Sequence, residues 1–435
     1  MEVIGITAEY NPFHNGHVRQ LEQARAHFGD CPVVAVMSGS FVQRGLPAIT
    51  DKWTRAAMAV EAGVDLVLEL PAAYVLRSAD YFAAGAVRSL AATGLVTTLV
   101  CGMETPASGE MLEPDGISGS LSPKRSCDAL TSAESLDGLP GLEETARCLL
   151  LPKTEALAGI FLDNGDAYGT AWSKALAKVL PGGERFLEGA NNILALAYQK
   201  AILRDGLSLR LVPFPREGSG YLEKEIRPPY ASATAIRKAV LEKTADRELL
   251  SRVMPKASLE LLQDALPPLA DRSGVMLRDL LAYLLLYKDG EHIYRHTNAD
   301  RGLCDRLLKY RDRLSQGLEE YILAVSSKRY PRPAIRRTLV QLLLGRTRAF
   351  WKAPARPEYL RVLAFSHRGR VLLRTMKDTA TLPVITKLGR LPRPGEEGYS
   401  PLLETDVLAT DLQSQLLGLP GVYGRDFFTA PRYCR

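Results

Sequence analysis

Two spacings of apolar residues alternate along the first hundred positions. "EVIGIT", "PVVAVMSG", "VDLVLELP" and "LVTTLVCG" are short runs of strand length, rich in Val, Ile and Leu. Segments with helical spacing lie between them. "HVRQLEQARAHFG" places Val18, Leu21, Ala24 and Phe28 along one face. "DKWTRAAMAVEAG" has Thr50 or Asp51 available as an N-cap and Gly63 near its end, and "ADYFAAGAVRSLAATG" is the third helix. Apolar strands alternating with helices in this way predict an α/β fold, a doubly wound parallel sheet covered on both faces.

From about Met103 to Tyr168 the periodicity lapses into a stretch rich in Gly, Ser and Pro, so residues 105–168 are expected to be an irregular insertion of long loops. Regular spacing returns with "AWSKALAKVL", "NNILALAYQKAIL" and the strand-like "LSLRLVPFP". It continues into "SATAIRKAVLEK", where Ser232 can cap a helix. The α/β domain is therefore expected to span 1–245. Residues 246–435 read as mostly helical, through "ASLELLQDAL", "GVMLRDLLAYLLLYK" and "AIRRTLVQLLLG", with "YLRVLAF" and "LPVIT" as strands around "RGRVLLRTM".

At 435 residues, with 46% hydrophobic and 24% charged side chains, the chain has the balance of a globular protein of two or three domains. It holds no apolar run of bilayer length and no basic-then-apolar leader, so a cytoplasmic protein without a membrane partner is expected. The six cysteines are scattered without CxxC spacing, which argues for reduced thiols rather than a zinc site. The net charge of +6 is mild, but its distribution is uneven. Lys328 to Arg356 carries nine Lys or Arg and no acid, with Tyr330, Phe350 and Trp351 interleaved. Lys328, Arg329, Arg332, Arg336, Arg337 and Arg346 are candidate contacts to a polyanion such as tRNA; a solvated helix face is the alternative.

"TAEYNPFHNGH" falls between the first strand and the first helix, where doubly wound sheets bind ligands and a helix N-terminus attracts anions. His14 and His17, two of only six histidines, are three apart and can face one anion together from a surface turn. Gly16 would let the ligand approach the backbone. Imidazole donors suit charge that grows during displacement at phosphorus. No third ligand accompanies the pair, so no metal site is expected. Far downstream, Ser232, Thr234 and Arg237 of "SATAIR" offer two hydroxyls and a guanidinium to phosphates.

HxGH after the first strand with SxTxIR near the end of the domain resembles the HIGH-type nucleotidyltransferase superfamily. "ITAEYNPFHNGH", "SGSFVQRGLPAITDKWTRA", "NNILALAYQKA", "PREGSGY", "SATAIRKA", "SKRY" and "LATDLQSQLL" narrow the resemblance to the tRNA(Met) cytidine acetate ligase family. That resemblance implies a HIGH-type nucleotidyltransferase domain followed by a mostly helical tRNA-binding region. It implies a ligase that turns ATP, with Mg²⁺, and acetate into acetyladenylate, then acetylates N4 of the wobble cytidine of elongator tRNA(Met). It also assigns ATP binding to Ile6, Thr7, Ala8, Glu9, Tyr10, Asn11, Pro12, Phe13, His14, Asn15, Gly16, His17, Val18 and Arg19, and to Gly102, Asn191 and Arg216. Two departures stand out: Gly102-Met103-Glu104 where the family reads Gly-Ser-Glu, and Ala190-Asn191-Asn192 where it reads Pro-Asn-Asn. Gln43, Arg44, Asp51 and Lys52 are candidates for the acetate pocket. The competing functions are a small-molecule nucleotidyltransferase and a non-catalytic RNA-binding relative.

Overall fold

The computed structural model describes residues 2–104, 140–216, 226–267, 272–389, 392, 396–419 and 423–435. The described strands are β1 (Ile4–Ala8), β2 (Val33–Ser38), β3 (Leu66–Leu70), β4 (Thr98–Met103), β5 (Arg210–Pro215), β6 (Leu360–Phe365), β7 (Val384–Ile385) and β8 (Arg432–Tyr433). The chain divides into two compact units, one made of Met1–Thr97 with Gly218–Arg435 and the other of Thr98–Glu217.

In the first unit β1, α1 (Asn15–Phe28), β2, α2 (Lys52–Glu61), β3, α3 (Ala72–Val75) and α4 (Ala79–Ala92) follow in order. β1 pairs with β2 in parallel, Ile4 opposite Val33, and β2 with β3, Val34 opposite Leu66. Every residue of β2 and β3 is buried, as a sheet covered on both faces requires. Asp51, rather than Thr50, caps α2, accepting from Thr54 N at 2.9 Å.

The edge of β3 is closed from far downstream. β6 pairs with it antiparallel, Glu69 opposite Arg361, and β7 and β8 pair with β6 in parallel. The expected boundary at 245 therefore does not coincide with the observed division. An apolar strand buried on both faces leaves one row of backbone groups unpaired, and the C-terminal chain supplies the partner. The helices Ser273–Tyr287, Arg301–Lys309, Leu318–Val325 and Arg332–Leu344 share a core with Leu281, Leu307, Tyr321, Ile335 and Trp351, and Phe41 and Leu76 join it.

A buried ionic cluster fastens this arrangement. Lys52 Nζ lies 2.7 Å from Glu69 Oε1 and 2.8 Å from Asp426 Oδ1, and Arg361 pairs with both carboxylates. Asp406 adjoins it, accepting from Ala72 N at 2.7 Å and from the Tyr359 hydroxyl. Burial pushes the Asp426 carboxyl up, but Lys52 and Arg361 outweigh that and hold it below the usual range. Asp406, buried and near the Glu69 charge, is pushed up to about 7.

In the second unit β4 and β5 pair in parallel, Thr98 opposite Arg210. The helices α5 (Leu142–Leu149), α6 (Pro152–Asp163), α7 (Tyr168–Val179) and α8 (Ala190–Asp205) lie between them in sequence. Residues 142–163, expected to be irregular, are thus largely helical. Leu142, Thr145, Ala146 and Leu149 of α5 and Thr154 and Ala158 of α6 are buried, a packing face in which small residues outnumber the two leucines and weaken the apolar periodicity. The rest of the expected insertion, 105–139, and most of "PREGSGY" lie outside the described residues.

Candidate active site

The loop from Glu9 to His14 joins β1 to α1. Tyr10 has a φ of +43°, uncommon for an aromatic residue, and packing holds it there. Its buried ring lies 4.9 Å from that of Phe13 and edge-on to His17, also at 4.9 Å. Asn11 is buried, and its Oδ1 accepts from Ile49 N at 2.8 Å.

The two histidines do not sit on a surface turn. His14 is only 5% exposed and is the N-cap of α1. Its Nδ1 accepts from Gly16 N at 3.1 Å, while His17 Nδ1 accepts from His14 N at 3.2 Å. This is a capping box in which two imidazoles replace the usual hydroxyl and carboxylate. The geometry also fixes the tautomer. With both Nδ1 atoms accepting, each neutral ring carries its proton on Nε2. The rings are nearly stacked, with centroids 3.9 Å apart. At Gly16 a Cβ would stand 2.9 Å from His14 Cε1, so glycine there makes room for the imidazole. Asn15 anchors the helix start, donating from Nδ2 to Pro229 O and Arg252 O at 3.1 Å each.

The downstream motif reaches the same loop. Ser232 caps α9 (Ala233–Leu241), accepting from Ala235 N at 3.0 Å. Arg237, one turn into that helix, donates to the Asn11 carbonyl and, at 3.2 Å, to Thr234 Oγ1. The HxGH loop and SxTxIR, more than 200 residues apart in sequence, are therefore joined by a direct hydrogen bond.

Arg55 was not singled out from the sequence. It is fully buried in α2 and donates to Glu9 O, to Ser38 O at 3.0 Å and to Gly39 O, binding the carboxyl ends of β1 and β2 together. An arginine in the middle of the apolar "WTRAAMAV" was the available signal. Burial lowers its guanidinium to about 10, against the charges of Asp51, Glu9 and Glu69. Glu9 Oε1 accepts from Gln43 N at 2.6 Å, and burial raises its carboxyl despite Arg237, Arg55 and Arg44 nearby. Of the acetate-pocket candidates, Asp51 is a helix cap and Lys52 is consumed by the buried cluster; Gln43 and Arg44 remain beside Glu9.

In the second unit Glu104 caps α8. Its carboxylate accepts from Asn191 N at 3.1 Å, from Asn192 N at 3.2 Å and from Asn191 Nδ2 at 2.5 Å. Ala190 takes the first helical position, where the family's proline is equally suited, and Met103 is buried. At Gly102 a Cβ would stand 2.9 Å from Arg216 Cγ, so glycine lets the arginine stem lie against the strand end.

The basic block divides in two. Lys328, Arg329 and Arg332 are exposed, although Arg329 pairs with Asp300 at 3.0 Å. Arg336 instead pairs with Glu319 and Arg346 with Glu404. Arg337 donates to Gln43 O at 3.0 Å, and burial lowers it to about 10. Among the described residues no group of three His, Cys, Asp or Glu side chains is placed to hold a metal ion, and no helix is long and apolar enough to cross a membrane.

The HIGH Nucleotidyl Transferase family pattern matches residues 1–114 and 140–420 of this chain. The tRNA(Met) cytidine acetate ligase of Thermoanaerobacter sp. (strain X514) is 32% identical over 431 residues, 98% of each chain. That of Syntrophomonas wolfei subsp. wolfei is 34% identical over 445 residues, 99% of each. Among solved structures, apo Thermotoga maritima TmcAL is similar with a TM-score of 0.81 at 28% identity, over the whole of both chains. The same protein bound with alpha-thio ATP gives 0.79 at 27%.

Proposed function

We propose a function from this premise: the chain belongs to the tRNA(Met) cytidine acetate ligase family, within the HIGH nucleotidyltransferases. It binds ATP and joins acetate to it, then passes the acetyl group to N4 of the wobble cytidine of elongator tRNA(Met). In the first step an acetate oxygen attacks the α-phosphorus, an O–P bond forms, and the bond to the β-phosphate breaks with loss of pyrophosphate. In the second, the cytidine amine attacks the acetyl carbon, AMP leaves, and N4 loses a proton. The amine is a weak nucleophile because its lone pair is conjugated with the ring, which is why a mixed anhydride is needed.

The observation that carries the first step is the imidazole capping box. His14 and His17 present two Nε2–H donors at the positive end of a 14-residue helix, the arrangement that stabilises charge developing on phosphate oxygens. Arg237, tied to the same loop, adds a guanidinium against the phosphates. Mg²⁺ would come in on the phosphates of ATP, since the described residues offer no carboxylate cage for it. The exposed Lys328, Arg329 and Arg332 suit the tRNA backbone.

Omission assays with ATP, labelled acetate and tRNA test this reading. Acetate-dependent ATP–pyrophosphate exchange without tRNA, and label in tRNA only when ATP is present, are the expected results. Acetylation from acetyl-CoA without ATP would overturn the mechanism. Exchange driven by another acid would favour a small-molecule nucleotidyltransferase, and tRNA binding without turnover a non-catalytic relative.

A further inference from the structure

The helix His367–Thr379 follows β6 and is followed in turn by β7. Between this helix and the segment that leads into β7 lies a cavity of about 490 Å³. Arg370, Arg374 and Lys377 line it from one helix face, and Met376, Pro383 and Val384 are among its apolar wall residues; no acidic side chain lines it. All three cations are exposed. Arg374 and Lys377 make no ion pair or hydrogen bond with any described residue, and Arg370 meets only His367 Nδ1 at 3.4 Å and the Tyr433 ring at 5.8 Å. Like charges one turn apart on a helix repel, so the fold gains nothing from grouping them.

The walls are fixed. Thr381 N donates to Ala92 O at 2.9 Å, Thr379 Oγ1 to Thr93 O at 3.0 Å, and Val384 pairs with Leu360 in the sheet. The volume is that of a small-ligand site. Cations on one side and apolar surface on the other match the two halves of an unpaired nucleotide, its phosphate and the face of its base.

We propose that this cavity receives one unpaired nucleotide of the bound tRNA, its phosphodiester held by Arg370, Arg374 and Lys377 and its base laid against Pro383 and Val384. The proposal rests on the tRNA-ligase reading. A free nucleotide has the same chemistry, and the test separates the two.

The triple variant Arg370→Gln/Arg374→Gln/Lys377→Gln, in the full chain, is compared with the unsubstituted protein. Because all three side chains are exposed, its thermal midpoint should be unchanged. The KM for tRNA should rise by about tenfold or more, and the log–log salt slope of tRNA binding should fall by about 0.7, the value for one phosphate on a single strand. Acetate-dependent pyrophosphate exchange and ATP binding should be unaltered. Unchanged tRNA KM and salt slope overturn the proposal. So does weakened ATP or AMP binding with tRNA affinity intact, which would make the occupant a free nucleotide. If the unsubstituted protein neither binds nor acetylates tRNA, the ligase reading itself fails, and that is seen before any variant is made.

Discussion

His14 Nδ1 caps α1, and the phosphate-donor role proposed for its Nε2 can be tested apart from that cap. Asparagine is a strong N-cap without an imidazole. His14→Asn should therefore keep the thermal midpoint close to wild type yet slow pyrophosphate exchange by about 10²–10³-fold, the usual loss for one oxyanion donor. His14→Ala should show the same kinetic loss and also lose about 0.5–2 kcal/mol of stability with the cap. Near wild-type exchange in the asparagine variant would leave the histidine as a cap alone. At this scale the sequence was informative about residue types and spacing: HxGH and SxTxIR were both visible. The link between them was not, since it is a side-chain bond from Arg237 to a backbone carbonyl, and nothing in a linear string marks which carbonyl an arginine will reach.

The basic block illustrates the limit of reading elements. Along Arg332–Leu344 the composition suggested a uniform polycationic face, but helical geometry turns successive arginines in different directions. Arg336 and Arg337 turn inward to Glu319 and the Gln43 carbonyl, while Arg332 stays in solvent. Lys328→Glu/Arg329→Glu/Arg332→Glu should weaken tRNA binding with little change in thermal midpoint. Arg337→Glu should lower the midpoint by several degrees, because it buries a carboxylate against a carbonyl oxygen. Equal thermal stability of the two variants would contradict this division. The parallel strands and their helices were legible because local apolar spacing dictates them. The pairing of β6 with β3 was not, because both read only as apolar strands and their partnership spans almost the whole chain.

For the whole molecule, the buried cluster sets a pH response. Two carboxylates, Glu69 and Asp426, share two cations, Lys52 and Arg361, and Asp406 beside them is the one that keeps its proton up to about 7 against an ordinary value of 3.8. The Tyr359 hydroxyl can donate to its carboxylate or accept from its acid form. Between about pH 4 and 7 the native state holds a proton that the unfolded chain has released. This contribution is full below that window and is lost as the pH rises through about 7. Denaturant midpoints of the wild type should fall relative to those of Asp406→Asn between pH 5 and 8. Parallel pH profiles would mean that Asp406 is ionised throughout.

The closure of β3 by β6 also has a history in time. On a ribosome adding about 5–20 residues per second, β3 emerges some fifteen seconds to a minute before β6 can reach it. Throughout that interval the nascent chain carries Leu66, Val67 and Leu68 on an open sheet edge, the kind of surface that recruits other strands. Lys52 meanwhile waits for Asp426, which is made later still. The first residues synthesised, the HxGH loop among them, thus belong to a unit that cannot close until nearly the last residues arrive, and a chain stalled late in synthesis would be a client for chaperones rather than a partly working enzyme.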